Sequence, residues 1–137
     1  DRETLYNRIR ELELTGHVLM PGAFDDVADL LQAANTFILP SYMEGLSLAF
    51  LEAMASNVHV IASDITANRQ LIESGVHGRL VPVKQATPLA EAILTAHASD
   101  NSEMVAAAYQ RVRQTFSLES MARKHLQVFE DTLRSGI

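Results

Sequence analysis

Pro40-Ser41-Tyr42-Met43-Glu44-Gly45-Leu46-Ser47-Leu48-Ala49-Phe50-Leu51-Glu52-Ala53-Met54-Ala55 sets two glutamates around a turn of small residues that opens into a helix. Just before it, Thr36-Phe37-Ile38-Leu39 is a short apolar run with β-branched and aromatic residues. The run stops at Pro40, which has no N–H to give to a sheet ladder, and so predicts a buried strand ending at Leu39. Leu48 to Ser56 has helical composition, so the backbone amides near Gly45, Leu46, Ser47, Leu48 and Ala49 are the unpaired donors of a helix start. Such a terminus attracts phosphate. Gly45 lets the backbone approach a ligand closely, and ligands of open α/β sheets sit at the carboxyl ends of the strands. Location and chemistry agree on a nucleotide diphosphate.

On a helical wheel the neighbours of Glu52 are Leu48, Ala49, Ala55 and Ser56, with Phe50 and Met54 opposite. Glu52 therefore has almost no polar face to join. Helical side chains lean toward the helix N-terminus, so its carboxylate points back at the turn and suits the two hydroxyls of a ribose. A second reading stays open, in which Glu52 reaches water or caps a neighbouring backbone and Glu44 only favours the helix dipole.

Outward from this stretch, a helix opens the chain, followed by a strand at Val18–Met20 and a helix at about Asp25–Ala34. Beyond it come an apolar strand at Val58–Ala62, a short helix at Asn68–Glu73, and a strand at Arg79–Val83 approached through Gly75 and Gly78. Thr87 and Pro88 read as the N-cap and first position of a helix to about His97, and Asp100 with Glu103 as a capping box for the next. Ser117 starts the last helix, whose Met121, His125, Val128, Phe129, Thr132 and Leu133 share one face expected to pack on the sheet or on another domain. Strands alternating with helices predict an α/β fold with a parallel sheet.

The chain has 137 residues, a length suited to one domain with a real core, and no repeat or low-complexity segment. A net charge of −6, with no basic run, speaks against nucleic acid as a partner. No apolar run is long enough to cross a bilayer. With no cysteine there is no disulfide framework or thiolate metal site, which fits a reducing, cytoplasmic setting. Five histidines match no metal motif, and neither Ser41 nor Ser47 has a histidine at a hydrolase spacing. Ser63 and Asp64 end a strand on the ligand side, where they either shape a pocket or cap the next turn.

The Glu44 to Glu52 stretch resembles the Glu-x(7)-Glu signature of the retaining, nucleotide-sugar-dependent glycosyltransferases of family 4. The likeness continues through Asn57-Val58-His59-Val60-Ile61-Ala62-Ser63-Asp64 and through Gln70-Leu71-Ile72-Glu73-Ser74-Gly75-Val76-His77-Gly78-Arg79-Leu80-Val81-Pro82, and upstream to Val18-Leu19-Met20-Pro21-Gly22. The resemblance implies a GT-B enzyme of two Rossmann-like domains, of which residues 1–137 are an N-terminally truncated, donor-binding C-terminal part. It implies that Glu44 contacts hydroxyls of the donor sugar as the catalytic glutamate. The backbone of Gly45, Leu46, Ser47, Leu48 and Ala49 would hold sugar and phosphates, Glu52 the ribose, and the loop at Gly22, Ala23 and Phe24 the base. Further implications are a UDP- or GDP-sugar as substrate, no metal or other cofactor, an acceptor-binding N-terminal domain as partner, and a cytoplasmic, peripheral place at the membrane.

The chain departs from the family pattern at several points. Ser47 stands where a second glycine is common, and a small hydroxyl residue still fits a helix start. Asn57 and His59 replace a frequent Gly and Pro, while Thr66, Ala67 and Gln70 replace a frequent Gly-Gly pair and a Glu, departures that bear on donor choice more than on fold. The Arg and Lys with which the family clamps the diphosphate have no counterpart here, and Arg2, Arg8 and Arg10 read as solvated helix positions. The alternatives are a nucleotide-sugar epimerase of similar architecture and a non-catalytic nucleotide-sugar-binding or assembly module. A phosphoacceptor receiver domain lacks its acidic cluster and strand-end Lys.

Overall fold

A computed structural model describes residues 2–135; Asp1, Gly136 and Ile137, which the expected domain 1–137 includes, lie outside the described residues. In order come α1 (Arg2–Glu11), α2 (Val27–Gln32), β1 (Thr36–Leu39), α3 (Leu48–Ala55), β2 (His59–Ser63), α4 (Thr66–Leu71), β3 (Arg79–Val81), α5 (Ala86–Ala98), α6 (Ser102–Arg111), a π-helical turn (Val112–Phe116) and α7 (Leu118–Ser135). The strands form a parallel sheet in the order β1-β2-β3, with Thr36 opposite His59 through Leu39 opposite Ala62, and Ile61 opposite Arg79 through Ser63 opposite Val81. Among the described residues no helix is long and apolar enough to cross a membrane.

Helices cover both faces of this sheet, so the central strand is buried along its whole length. Successive side chains of a strand point to opposite faces. Val60 and Ala62 accordingly pack with Phe50, Ala53 and Met54 of α3, Leu71 of α4 and Ala108 of α6, while Ile61 packs with Ala92 and Ala96 of α5 and Val81 of β3. Phe50 and Met54 are fully buried, and Phe50 meets Phe37 at 6.3 Å between ring centroids. Burial of each such side chain stabilises by about 1.5–3 kcal/mol.

Two backbone features fix the approach to β3. Gly75 has φ +85°, and its N–H bonds Gly78 O at 2.8 Å. A Cβ at Gly78 would lie 2.5 Å from Val60 Cγ2 and 2.7 Å from Val60 O, so only glycine lets the turn reach the central strand. Arg111 reaches across from α6 to bond Gln70 O at 3.0 Å, and also Leu71 O, satisfying carbonyls that end α4.

Several expectations need correction. Val18–Met20 forms no sheet strand: Val18 makes an isolated bridge to Thr15, its amide turns back to Leu14 O at 3.1 Å, and Leu19 is 81% exposed. The helix after it is shorter than expected because Asp26 caps it, accepting from Asp29 N at 3.2 Å. Thr87 and Pro88 lie inside α5, whose preceding residue is Gln85, since Pro is tolerated throughout a first turn. Asn101 takes the cap position of α6, binding Ala96 O at 2.7 Å to close α5, while Asp100 accepts from Ser102 N at 2.9 Å. Ser117 does start α7, with its Oγ accepting from Ser120 N at 3.2 Å. The apolar face of α7 does not pack on the sheet: Met121, Val128, Phe129 and Leu133 are exposed, and the helix rests mainly on the π-helical turn. The three early arginines are exposed helix positions, as expected; Arg8 pairs with Glu11 and Arg10 bonds Asn7 within the helix, while Arg2 reaches out to bond Met20 O at 2.9 Å.

His59 is buried at the start of β2 with neither ring nitrogen hydrogen-bonded, and desolvation, with the nearby Arg79 cation, holds its pKa below the ordinary value. The unfolded chain therefore takes up a proton near pH 6.5 where the folded one does not, so stability is full above that pH and falls below it, by at most about 1.4 kcal/mol per pH unit for one proton. His77, shifted down by burial and Arg111, acts in the same direction. His59→Leu is expected to reduce, without abolishing, the loss of urea midpoint between pH 7 and 5; an unchanged slope refutes the assignment. Gly78→Ala is expected to cost about 1–3 kcal/mol in the same assay at pH 7.5, because the methyl meets backbone as well as side chain.

Candidate functional site

β1 delivers the chain to Pro40 at the carboxyl edge of the sheet, and α3 begins eight residues later. Ser47 is the N-cap, in extended conformation, with its Oγ accepting from Phe50 N at 3.4 Å and its carbonyl from Leu51 N at 3.3 Å. The hydroxyl thus serves where the family resemblance suggested glycine. Gly45, Leu46, Leu48 and Ala49 are exposed around this terminus, where the first amides of α3 have no intrahelical partner. Gly45 has no positive φ, and a Cβ there would meet nothing within 4 Å. Neither its backbone nor its neighbours require glycine; the open space beside it is what the missing side chain preserves.

Glu44 is half-buried and lines a cleft of about 410 Å³ with Tyr42, Asp64, Thr66, Ala67 and Arg69. A smaller cleft of about 240 Å³ lies between Tyr42, Ser63, Pro82 and Lys84, above the ends of all three strands. Tyr42 divides the two, with Lys84 Nζ 5.2 Å from its ring centroid, within range of a cation–π contact. Lys84 adopts φ +60°, an uncommon conformation for a side chain of its size.

The far wall of the larger cleft is braced. Asp64 N donates to Val81 O at 2.7 Å, tying the end of β2 to β3. The fully buried Asn68 donates Nδ2 to Ser63 O at 2.8 Å from within α4. Arg69 Nε and Nη2 grip the Asp64 carboxylate at 2.5 and 2.9 Å, a two-point pair with fixed orientation. Those hydrogen bonds hold the Asp64 carboxyl below the usual carboxylate range, so it is anionic at neutral pH.

Of the residues singled out by sequence, Glu44 lies in the cleft and Gly45 to Ala49 lead from it onto the exposed start of α3. Glu52 is exposed one turn along, on the face of Leu48 and Ala49, while Phe50, Ala53 and Met54 turn into the core, as the helical wheel requires. Ala23 and Phe24 sit in the exposed loop before α2 and line neither cleft. Sequence reasoning left out Tyr42, Arg69 and Lys84. Arg69 had a signal, an acid five residues earlier, just before the start of its helix; Lys84 had none, because its place depends on how β3 ends. Among the described residues no three His, Asp or Glu side chains converge as a metal site.

Residues 1–114 match the family described as Glycosyl transferases group 1. The phosphatidyl-myo-inositol mannosyltransferase of Mycolicibacterium smegmatis is 31% identical over 130 residues, covering 91% of this chain and 33% of the relative. The chain thus spans about a third of the length of that curated relative. Among solved structures, sucrose-phosphate synthase from Thermosynechococcus elongatus superposes with a TM-score of 0.86 at 28% identity, over 98% of this chain and 35% of the other. Anabaena HepE in complex with UDP superposes with a TM-score of 0.88 at 22% identity, over 94% of this chain and 36% of that one, a likeness of fold.

The cap and the glycine next to it separate in a stability experiment. Ser47→Ala is expected to lower unfolding free energy by about 1 kcal/mol through loss of the cap. Gly45→Ala is expected to stay within about 0.5 kcal/mol of the unaltered chain, as is usual for open surface sites. A large loss at Gly45 overturns the conclusion that no packing demand acts there.

Proposed function

We propose, because this chain belongs to the glycosyl transferases of group 1, that it is the donor-binding part of a retaining, family 4 glycosyltransferase of GT-B architecture that moves a hexosyl group from a nucleotide sugar to an acceptor. The observation that carries the reading is the capped start of α3 at the carboxyl edge of the sheet, with Glu44 in the adjoining cleft and Glu52 one turn along its exposed face. Unpaired amides at a helix start suit the diphosphate. Glu52 accepts from the ribose hydroxyls, Ala23 and Phe24 approach the base, and Glu44 takes hydroxyls of the sugar.

In this reading Glu44 orients the sugar so that the acceptor attacks on the face from which the diphosphate departs, retaining the anomeric configuration. The leaving diphosphate takes the acceptor's proton, and the α3 amides stabilise the negative charge that grows on it. The nucleotide sugar is a substrate, and the reading includes no resident cofactor or metal. The acceptor is held by an N-terminal domain on the opposite side of the cleft, and the enzyme works at the cytoplasmic face of a membrane. A mannosyltransferase of phosphatidyl-myo-inositol among the relatives and a UDP complex among the structural neighbours favour a lipid-linked acceptor and a UDP- or GDP-sugar.

Titration with UDP, GDP and ADP, followed by amide NMR at Gly45 to Ala49 on the protein carrying this chain at its full natural length, tests the reading. One nucleotide is expected to give saturable shifts. Glu52→Ala is expected to weaken it about tenfold or more, the usual result of losing a charged hydrogen-bond partner. Gly45→Ala, neutral for folding, is expected to weaken it as well. No saturable shift with any of the three overturns the reading.

A further inference from the structure

Two of the positions at which this chain departs from the resembled family pattern line one cleft. Thr66 and Ala67, standing where a glycine pair is common, line the same cleft as Glu44, and the Asp64–Arg69 pair completes that wall. The backbone behind this wall is braced: Asp64 N bonds Val81 O, Asn68 Nδ2 bonds Ser63 O from within α4, and Arg111 bonds two carbonyls at the C-terminal end of α4.

The Asp64–Arg69 pair has spare capacity. Arg69 uses Nε and Nη2 on Asp64, leaving three of its five N–H groups, and each Asp64 oxygen keeps a free lone pair. Adjacent donors and acceptors held in one plane match the alternating hydroxyls of a pyranose. The pair is neutral overall, and the Glu44 carboxylate across the cleft disfavours an anionic ligand, so the complementary group is an uncharged hexosyl ring rather than a uronate or a phosphate.

We infer, building on the donor-binding reading above, that the Asp64–Arg69 pair is the specificity-determining wall of the sugar subsite, hydrogen-bonding outer hydroxyls of the transferred hexosyl group from the side opposite Glu44. A site built to bond a hydroxyl rejects the epimer that points it elsewhere, because its polar groups are then left unpaired. Thr66 and Ala67 narrow the same wall with side chains where glycines would leave room.

The test compares affinities of the protein carrying this chain at its full natural length for UDP and GDP alone and for UDP-glucose, UDP-galactose and GDP-mannose, in the unaltered sequence, Asp64→Asn and Arg69→Gln. The affinity for the bare diphosphate is expected to stay within about twofold, while the preferred nucleotide hexose loses about tenfold and the ratio between the gluco and galacto donors moves toward one. Thermal unfolding of each variant with saturating UDP separates this from a folding defect, because a bound nucleotide stabilises only the native state. Both ratios unchanged while UDP still binds overturns this inference alone. Equal losses for UDP and the nucleotide hexoses also overturn it, since the pair then only braces α4. Failure of the unaltered protein to bind any diphosphate overturns the donor-binding reading and this inference with it.

Discussion

The parallel pairing of β1 with β2 is the constraint on which the rest depends. Because Thr36 lies opposite His59 and Leu39 opposite Ala62, both strands run out at the same edge. Pro40 and Asp64 therefore begin their loops side by side. A slip of one residue would exchange the faces of β2, turning Val60 and Ala62 away from Phe50 and Met54. It would also move Asp64, and with it Arg69, away from Glu44. The register that fills the core is thus the register that assembles the cleft.

Much of this was legible in the sequence because local chemistry and tertiary packing ask for the same thing. Thr36–Leu39 reads as a strand and is one, since Pro40 ends it whatever surrounds it. The α3 pattern reads correctly because its inward residues, Phe50 and Met54, have no polar alternative on their face. The failures share a cause. Val18–Met20 has strand composition, but a strand is a pairing and composition cannot supply a neighbour. The π-helical turn has no compositional mark, and the cap at Asn101 depends on carbonyls of the preceding helix that sequence alone does not place.

The site divides along the same line. Glu44, Gly45 and Glu52 could be placed relative to one another from sequence because one helix start fixes their spacing. Arg69 and Lys84 could not, because they reach the site from different loops whose meeting depends on the sheet. The structure therefore sets a helix start on one side of the cleft and the Asp64–Arg69 wall on the other. Chemistry common to a fold can stay on the first while recognition varies on the second.

The nearly complete exposure of α7 means that cohesion is uneven along the chain. Of its residues only Ser120 is buried; beyond its contacts with the π-helical turn, where Lys124 Nζ bonds Thr115 O at 3.3 Å, the helix is held by contacts one turn apart, such as Arg123 to Glu119 at 2.9 Å and Gln127 to Asp131 at 2.9 Å. An 18-residue helix supported this way has little beyond its own propensity to sustain it. Amides after Ser120 are accordingly expected to exchange with solvent through local fraying, ahead of those of the buried strand β2. Burial thus falls away beyond the π-helical turn, where the packed core gives way to a helix that depends largely on itself.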